Sequence, residues 1–219
     1  MELVSSSKFR KAKERAESAR PYFNTLYNTV QDIAKNTSNS RNVFLKERKV
    51  NNVCYIVIAG DRGLAGGYNS NKLGTGKVIP VGKKAKESLS KRGYEVIDYI
   101  ESVEKCVYED ANRVAQAAME AYKNGEVDEV NLVYTEFISA LSQEPKIVKL
   151  LPVTIDNTST EKEVKKGKAA VQYLPSADAV LGYVLPKYVS GSVYGAIAES
   201  FASEQAARRT AMESATDNA

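Results

Sequence analysis

The stretch with most chemical promise is Gly60-Asp61-Arg62-Gly63-Leu64-Ala65-Gly66-Gly67-Tyr68-Asn69, a glycine-rich turn directly after an apolar run. Such a turn after an α/β strand invites phosphate binding through exposed backbone N–H groups. The spacing does not fit. A P-loop needs G-x-x-x-x-G-K-[ST], whereas Gly66 is followed by Gly67 and Tyr68. The dinucleotide pattern G-x-G-x-x-G is not formed here either, and Gly74-Thr75-Gly76 begins one without completing it. The plain alternative is a tight turn with positive φ at several positions, which glycine adopts at little cost. Composition narrows the rest. The chain has no histidine and two cysteines, Cys54 and Cys106. Imidazole acid–base chemistry, His-containing triads and His zinc sites are excluded. Two thiols outside a C-x-x-C spacing make neither an all-cysteine zinc site nor a disulfide framework. No catalytic residue, cofactor or metal is expected.

Charge offers a different kind of site. The 219 residues carry 31 Lys+Arg against 27 Asp+Glu, a formal net charge of +4. Residues 1–50 hold eleven basic and five acidic residues, and the remainder 20 and 22. The excess therefore belongs to the first segment, chiefly Lys8, Arg10, Lys11, Lys13, Arg15 and Arg20. Such a face meets nucleic acid, acidic lipid or an acidic protein surface, or simply faces water. An isoelectric point near 8.8 falls short of a dedicated nucleic-acid domain. The longest apolar run, Val53 to Ala59, has the length of a strand rather than of a membrane span. Met-Glu-Leu-Val-Ser-Ser-Ser at the start lacks the apolar core of a signal peptide. A soluble protein on the cytoplasmic side is expected.

The elements that position these residues follow from periodicity. Ser5, Phe9, Ala12, Ala16, Ala19, Phe23, Leu26, Val30 and Ile33 alternate in steps of four and three, the seam of a coiled coil. Pro21 kinks this helix without ending it if it faces outward. From Val189 to Ala219 the chain is again helical, with a weaker seam of Val193, Ile197, Ser200, Glu204, Ala207, Ala211 and Ser214. That Ala/Ser/Glu stripe suits a slender shaft touching different neighbours in turn. Neither helix is capped at the chain end, as expected of segments cut from longer helices.

Between them, residues 50–59 read as a buried strand, Val78–Val81 as a second, and Tyr94–Tyr99 as a third. Glu129–Phe137 reads as a fourth and Lys146–Pro152 as an antiparallel fifth. Helices are expected at Lys83–Arg92, at Tyr108–Lys123 and, ahead of Pro186, at Ser176–Leu185. Thr154–Ala170 reads as a mobile loop. The fold class is α/β: a Rossmann-like, mostly parallel sheet domain plus an antiparallel coiled coil of the terminal helices. The expected units are the helix 1–48, the globular domain 49–186 and the helix 187–219.

Three separated blocks, in order, resemble the γ subunit of rotary F-type ATP synthases. GDRGLAGGYNSN is similar to the family's glycine-turn signature, and VYGAIAESFASEQAARRTAMESATDNA to its C-terminal signature. MELVSSSKFRKAKERAESARPYF resembles its N-terminal helix, joined part-way along. EVDEVNLVYTEFISALSQEPKIVKLLP fits its hairpin region. The resemblance implies a central stalk truncated at both ends. It also implies a coiled coil inside the ring of α and β subunits, and a foot on the ε subunit and the c ring. The shaft would carry torque between ion flow and ATP synthesis or hydrolysis, without an active site of its own. It would sit as a peripheral subunit on the cytoplasmic face of a bacterial plasma membrane, or on the matrix side in a mitochondrion. Membrane contact would come only through the complex, and no nucleic acid is expected.

The resemblance also assigns residues. Met1, Lys8 and Lys11 would meet acidic β-subunit loops. Glu204, Gln205 and Arg208 would lie at a second shaft–β contact, and Tyr173 near ε and the c ring. Asp61, Arg62, Gly63, Gly66, Gly67 and Asn69 would fix the turn. Arg208→Ala is expected to leave folding largely intact, as loss of an exposed pair does. Two departures stand out. Arg209 occupies a position where the family has methionine, and the helix after GGYNSN is missing, since KLGTGK (Lys72–Lys77) runs almost straight into the next strand. The alternative is a Rossmann-like nucleotide-binding enzyme on which the helices are decoration. A third class is a nucleic-acid binder using the basic first helix.

Overall fold

The computed structural model describes residues 2–35, 37, 42–61, 76–155 and 173–217. Met1, the turn residues from Arg62 to Asn69, KLGTGK up to Thr75 and the loop beyond Ile155 lie outside them.

Helix α1 (Glu2–Lys35) is unbroken. Phe9, Ala12, Ala16, Val30 and Ile33 are buried on the expected stripe, and Ala19, Phe23 and Leu26 half-buried. Pro21 is exposed, so the backbone carbonyl that loses its N–H partner faces water and the helix continues. A short turn at Val43–Leu45, which the sequence reading missed, leads to the sheet.

The sheet has five strands in the order β3-β2-β1-β4-β5. They are β1 (Val53–Ile58), β2 (Gly76–Val81), β3 (Glu95–Val96), β4 (Glu129–Phe137) and β5 (Gln143–Leu151). The first four pair in parallel, and β5 runs antiparallel to β4. This is the mostly parallel α/β architecture expected from the strand–helix alternation. Cys54, Ile56 and Ile58 of β1, with Val130 and Leu132 of β4, turn into the main core. Val57 and Val78 turn to the other side, under Leu89 of α2 (Lys83–Lys91). Helix α3 (Tyr108–Lys123) buries Ala111, Val114, Ala115, Ala118 and Tyr122.

Two expectations need correction. The third strand shrinks to Glu95–Val96, with one further bridge from Ile100 to Val81. Asp98 explains the shortening: its Oδ1 accepts from the Tyr99 N–H at 2.7 Å, and its Oδ2 pairs with Arg113. That local side-chain bond competes with the ladder. The second correction is larger. No separate helix ends at Pro186; a single helix α4 runs from Ala177 to Asp217 with Pro186 inside it. Pro186 is half-buried, and Gly182, one turn before it, is exposed. Leu181, Leu185 and Val189 are fully buried on either side, so packing holds the helix through the proline.

Helix α4 is also less exposed than a slender shaft would be. Every residue from Phe201 to Ala206 is buried. The helix lies between α1, α3 and β4. Its Ala, Ser and Gly content is what lets three neighbours approach one helix at once.

Candidate functional site

The two long helices form the dominant interface of the molecule. Arg209 lies over the Phe9 ring, Arg20 meets Glu199, Phe23 meets Gly195 and Gly191, and Tyr27 meets Tyr188. As numbers rise along α1 they fall along α4, so the pair is antiparallel.

The basic face of α1 proves to be partly an internal fastening. Arg15 donates from Nε to the Tyr194 hydroxyl at 3.1 Å and from Nη2 to the Cys106 carbonyl. It also sits 5.0 Å from the Tyr194 ring centroid, a cation–π arrangement. Arg20 donates from Nε to Glu199 Oε1 and from Nη2 to the Phe137 carbonyl, both at 2.9 Å. Lys8 pairs with Glu104 at 2.8 Å. One helix is thus tied to α4, to the end of β4 and to the loop before α3. In the sequence Arg15 and Arg20 show only as charge; their acceptors lie 91 to 179 positions away, and nothing local names them.

Lys8 therefore has a partner on its own chain, whereas Lys11 is exposed. Tyr173 is half-buried and packs on the main core. Glu204 and Gln205 are buried, not displayed on the outer surface. The Glu204 carboxylate lies over the Cα of Gly60: a Cβ there would come within 2.8 Å of the Glu204 Cδ. Arg208, one turn on, pairs with Glu204. Gln205 Oε1 is buried with no partner among the described residues. Arg208 is thus one half of a largely buried ion pair, and its removal would strand the carboxylate. The expectation that Arg208→Ala is nearly silent for folding is corrected on that ground. Of the turn residues, Asp61 is described. Its Oδ2 accepts from the Ser102 hydroxyl at 2.7 Å and its Oδ1 from the Val103 N–H at 3.2 Å. It staples the end of β1 to the loop before α3. Arg62, Gly63, Gly66, Gly67, Asn69 and Met1 lie outside the described residues.

Electrostatics give no poised nucleophile at the two thiols. Burial pushes the Cys54 thiol up to about 12 and the Cys106 thiol up to about 11, so both stay protonated at neutral pH. Tyr134, beside the helix pair, is raised by burial, and the charges of Glu199 and Glu136 add to the rise. Among the described residues no cluster of His, Cys, Asp or Glu could hold a metal. None of the helices they form is long and apolar enough to cross a membrane.

A parallel-sheet domain carrying two long antiparallel helices, pinned to it by arginines, defines a rod-bearing α/β protein. Its working parts are helix surfaces and the joints between them. Comparison makes that class specific. A family model described as ATP synthase matches residues 1–219. The chain is 41% identical to the ATP synthase gamma chain of Alkaliphilus metalliredigens, covering 100% of this chain and 80% of that protein. It is 39% identical to the sodium ion specific ATP synthase gamma chain of Acetobacterium woodii, covering 100% and 81%. Among solved structures, the central stalk and c-ring of the Tetrahymena thermophila mitochondrial ATP synthase superposes with a TM-score of 0.70 at 26% identity, covering 99% of this chain and 97% of that one. The chain belongs to the ATP synthase gamma-chain family. The first of these alignments runs over 231 positions against 219 residues, so the relative is longer across the same span.

Proposed function

We propose that the chain is the central rotor shaft of an ATP synthase, carrying torque between an ion-driven c ring and the catalytic α/β hexamer. The observation that carries this reading is the antiparallel pair of α1 and α4, in which α4 continues without a break from the sheet domain into the rod. A similarity to gamma chains over the whole length supports it. The partners are the α, β and ε subunits and the c ring. The subunit supplies no catalytic group; it acts by presenting a different face to each β subunit in turn. Mechanically, 1–48 and 187–219 are the rod and 49–186 the foot. The complex lies on the cytoplasmic face of a bacterial plasma membrane and couples to protons or sodium ions.

Among the partner contacts, Met1 and Lys11 are proposed to meet β-subunit loops directly, with Lys8 sharing itself between such a loop and Glu104. Arg208 faces the same bearing, while Glu204 and Gln205 hold it from behind. Tyr173 is proposed at the ε and c-ring end. Asp61, with Arg62, Gly63, Gly66, Gly67 and Asn69, is proposed to fix the turn that follows β1.

The test is assembly. Full-length chain co-expressed with all the other subunits of an ATP synthase should give a complex that pumps ions on ATP addition. A complex lacking it should hydrolyse ATP without pumping. Calorimetric titration with ATP, ADP and NAD separates the enzyme reading: micromolar binding to the chain alone would overturn the rotor.

A further inference from the structure

Much of the contact between α1 and α4 is made by small side chains. Ala12 and Ala16 of α1 are buried, as are Ala198, Ala202 and Ala206 of α4. Such faces approach closely but interlock poorly, because a methyl group is a shallow knob. Under axial load they resist separation better than sliding. The register of the two helices must therefore come from the larger side chains between them.

Phe23 is one of several large side chains of α1 in this contact, with Phe9, Val30 and Ile33, and it is the one seated over glycines. Its ring sits across Gly195 and Gly191, one turn apart on α4. A Cβ on Gly195 would fall 2.5 Å from Phe23 Cε2, and one on Gly191 would fall 2.9 Å from Cδ1. The notch exists only because both positions are glycine, in a helix interior where glycine costs stability. Tyr22 and Tyr194 close round the ring with centroids at 5.6 and 6.4 Å. One turn before Phe23, the Arg20 guanidinium binds Glu199 of α4 and the Phe137 carbonyl at the end of β4. Glu199 Oε2 is buried without a partner among the described residues, so the carboxylate depends on Arg20 for its compensation. Knob and bridge lie where the rod meets the sheet. A groove of about 170 Å³ beside them, lined by Arg20, Phe23, Asn24, Tyr134, Gly195 and Glu199, gives the ring a place to go if it leaves the notch.

We infer that Phe23 is the positioning residue that locks α1 against α4 in rotation and in register, with Arg20 tying the lock to the foot. This rests on the rotor reading. Torque entering through the sheet domain then reaches both helices together. Without the lock, α4 turns with the foot while α1 slips, and hydrolysis loses its grip on ion movement.

The experiment uses the whole complex with the full-length chain, in sealed vesicles, and measures ions pumped per ATP hydrolysed. In Phe23→Ala the ratio should fall by about threefold or more, since truncation removes nearly all of the ring's contact, while hydrolysis stays near its ordinary rate. Phe23→Leu, which keeps most of the bulk, should restore the ratio. A merely structural role would lower hydrolysis and pumping together and leave the ratio unchanged; that result would overturn the lock. If Phe23→Ala does not assemble, Gly195→Ala displaces the ring while favouring the helical backbone, and an unchanged ratio there overturns it equally. Failure of the unsubstituted complex to pump would overturn the rotor reading and this inference with it.

Discussion

At the scale of single residues, the buried groups make the sharpest statements. Cys54 and Cys106 are sealed in the core with their thiols pushed up to about 12 and about 11. Neither should react with a thiol reagent at pH 8 in the folded chain, and both should react once it is denatured; labelling followed by mass spectrometry checks this. Glu204 supplies a second prediction. Gly60→Ala puts a methyl group into its carboxylate and should cost about 1–3 kcal/mol, the usual penalty of overpacking, read as a lower melting temperature. Arg208→Ala should cost about 2–3 kcal/mol, between exposed and fully buried ion pairs. The sequence placed Glu204 on the seam of the C-terminal helix, where it is buried, but gave no direction for Gln205 and Arg208. A helix with neighbours on three sides also buries residues off its single stripe, such as Gln205, and Glu204 turns in where Gly60 leaves it room.

At the scale of elements, legibility tracked how local the decisive force was. Helix α3 and strand β4 were bounded correctly because Tyr108–Lys123 and Glu129–Phe137 carry their own periodicity and end at turn residues. The proline in α4 misled because its local cost is offset by long-range packing of Leu181, Leu185 and Val189, which a window of sequence does not contain. The third strand was overestimated because the Asp98 side chain interrupts an otherwise regular alternation. The small residues of α4 yield a prediction here. Ala202 is completely buried in a helix crowded by three elements. Ala202→Leu should therefore destabilise by about 2 kcal/mol or more, lowering the melting temperature by roughly 4–8 °C for a chain of this size. The same change at Thr216, exposed near the end of the helix, should be close to neutral.

For the whole molecule, pH dependence follows from groups that must stay neutral to remain buried. Cys54, Cys106 and Tyr134 all have folded-state values raised above those of the unfolded chain. Their contribution is therefore complete below the unfolded values, near 9.0 for the thiols and 10.0 for the phenol. It is lost progressively as pH rises through that window towards the folded values. Denaturant midpoints should hold level from pH 7 to about 8.5 and decline steeply beyond about 9; a flat profile to pH 11 would contradict the buried placement of these groups.

Helix α4 runs 41 residues, about 60 Å at the standard rise, and its hydrogen-bonded backbone passes from the foot into the rod without a break. A gear train with a coupling between two pieces wastes part of each turn taking up slack. Here one of the two members has no coupling at all, so even a small angular step at the membrane end arrives at the catalytic end with little backlash.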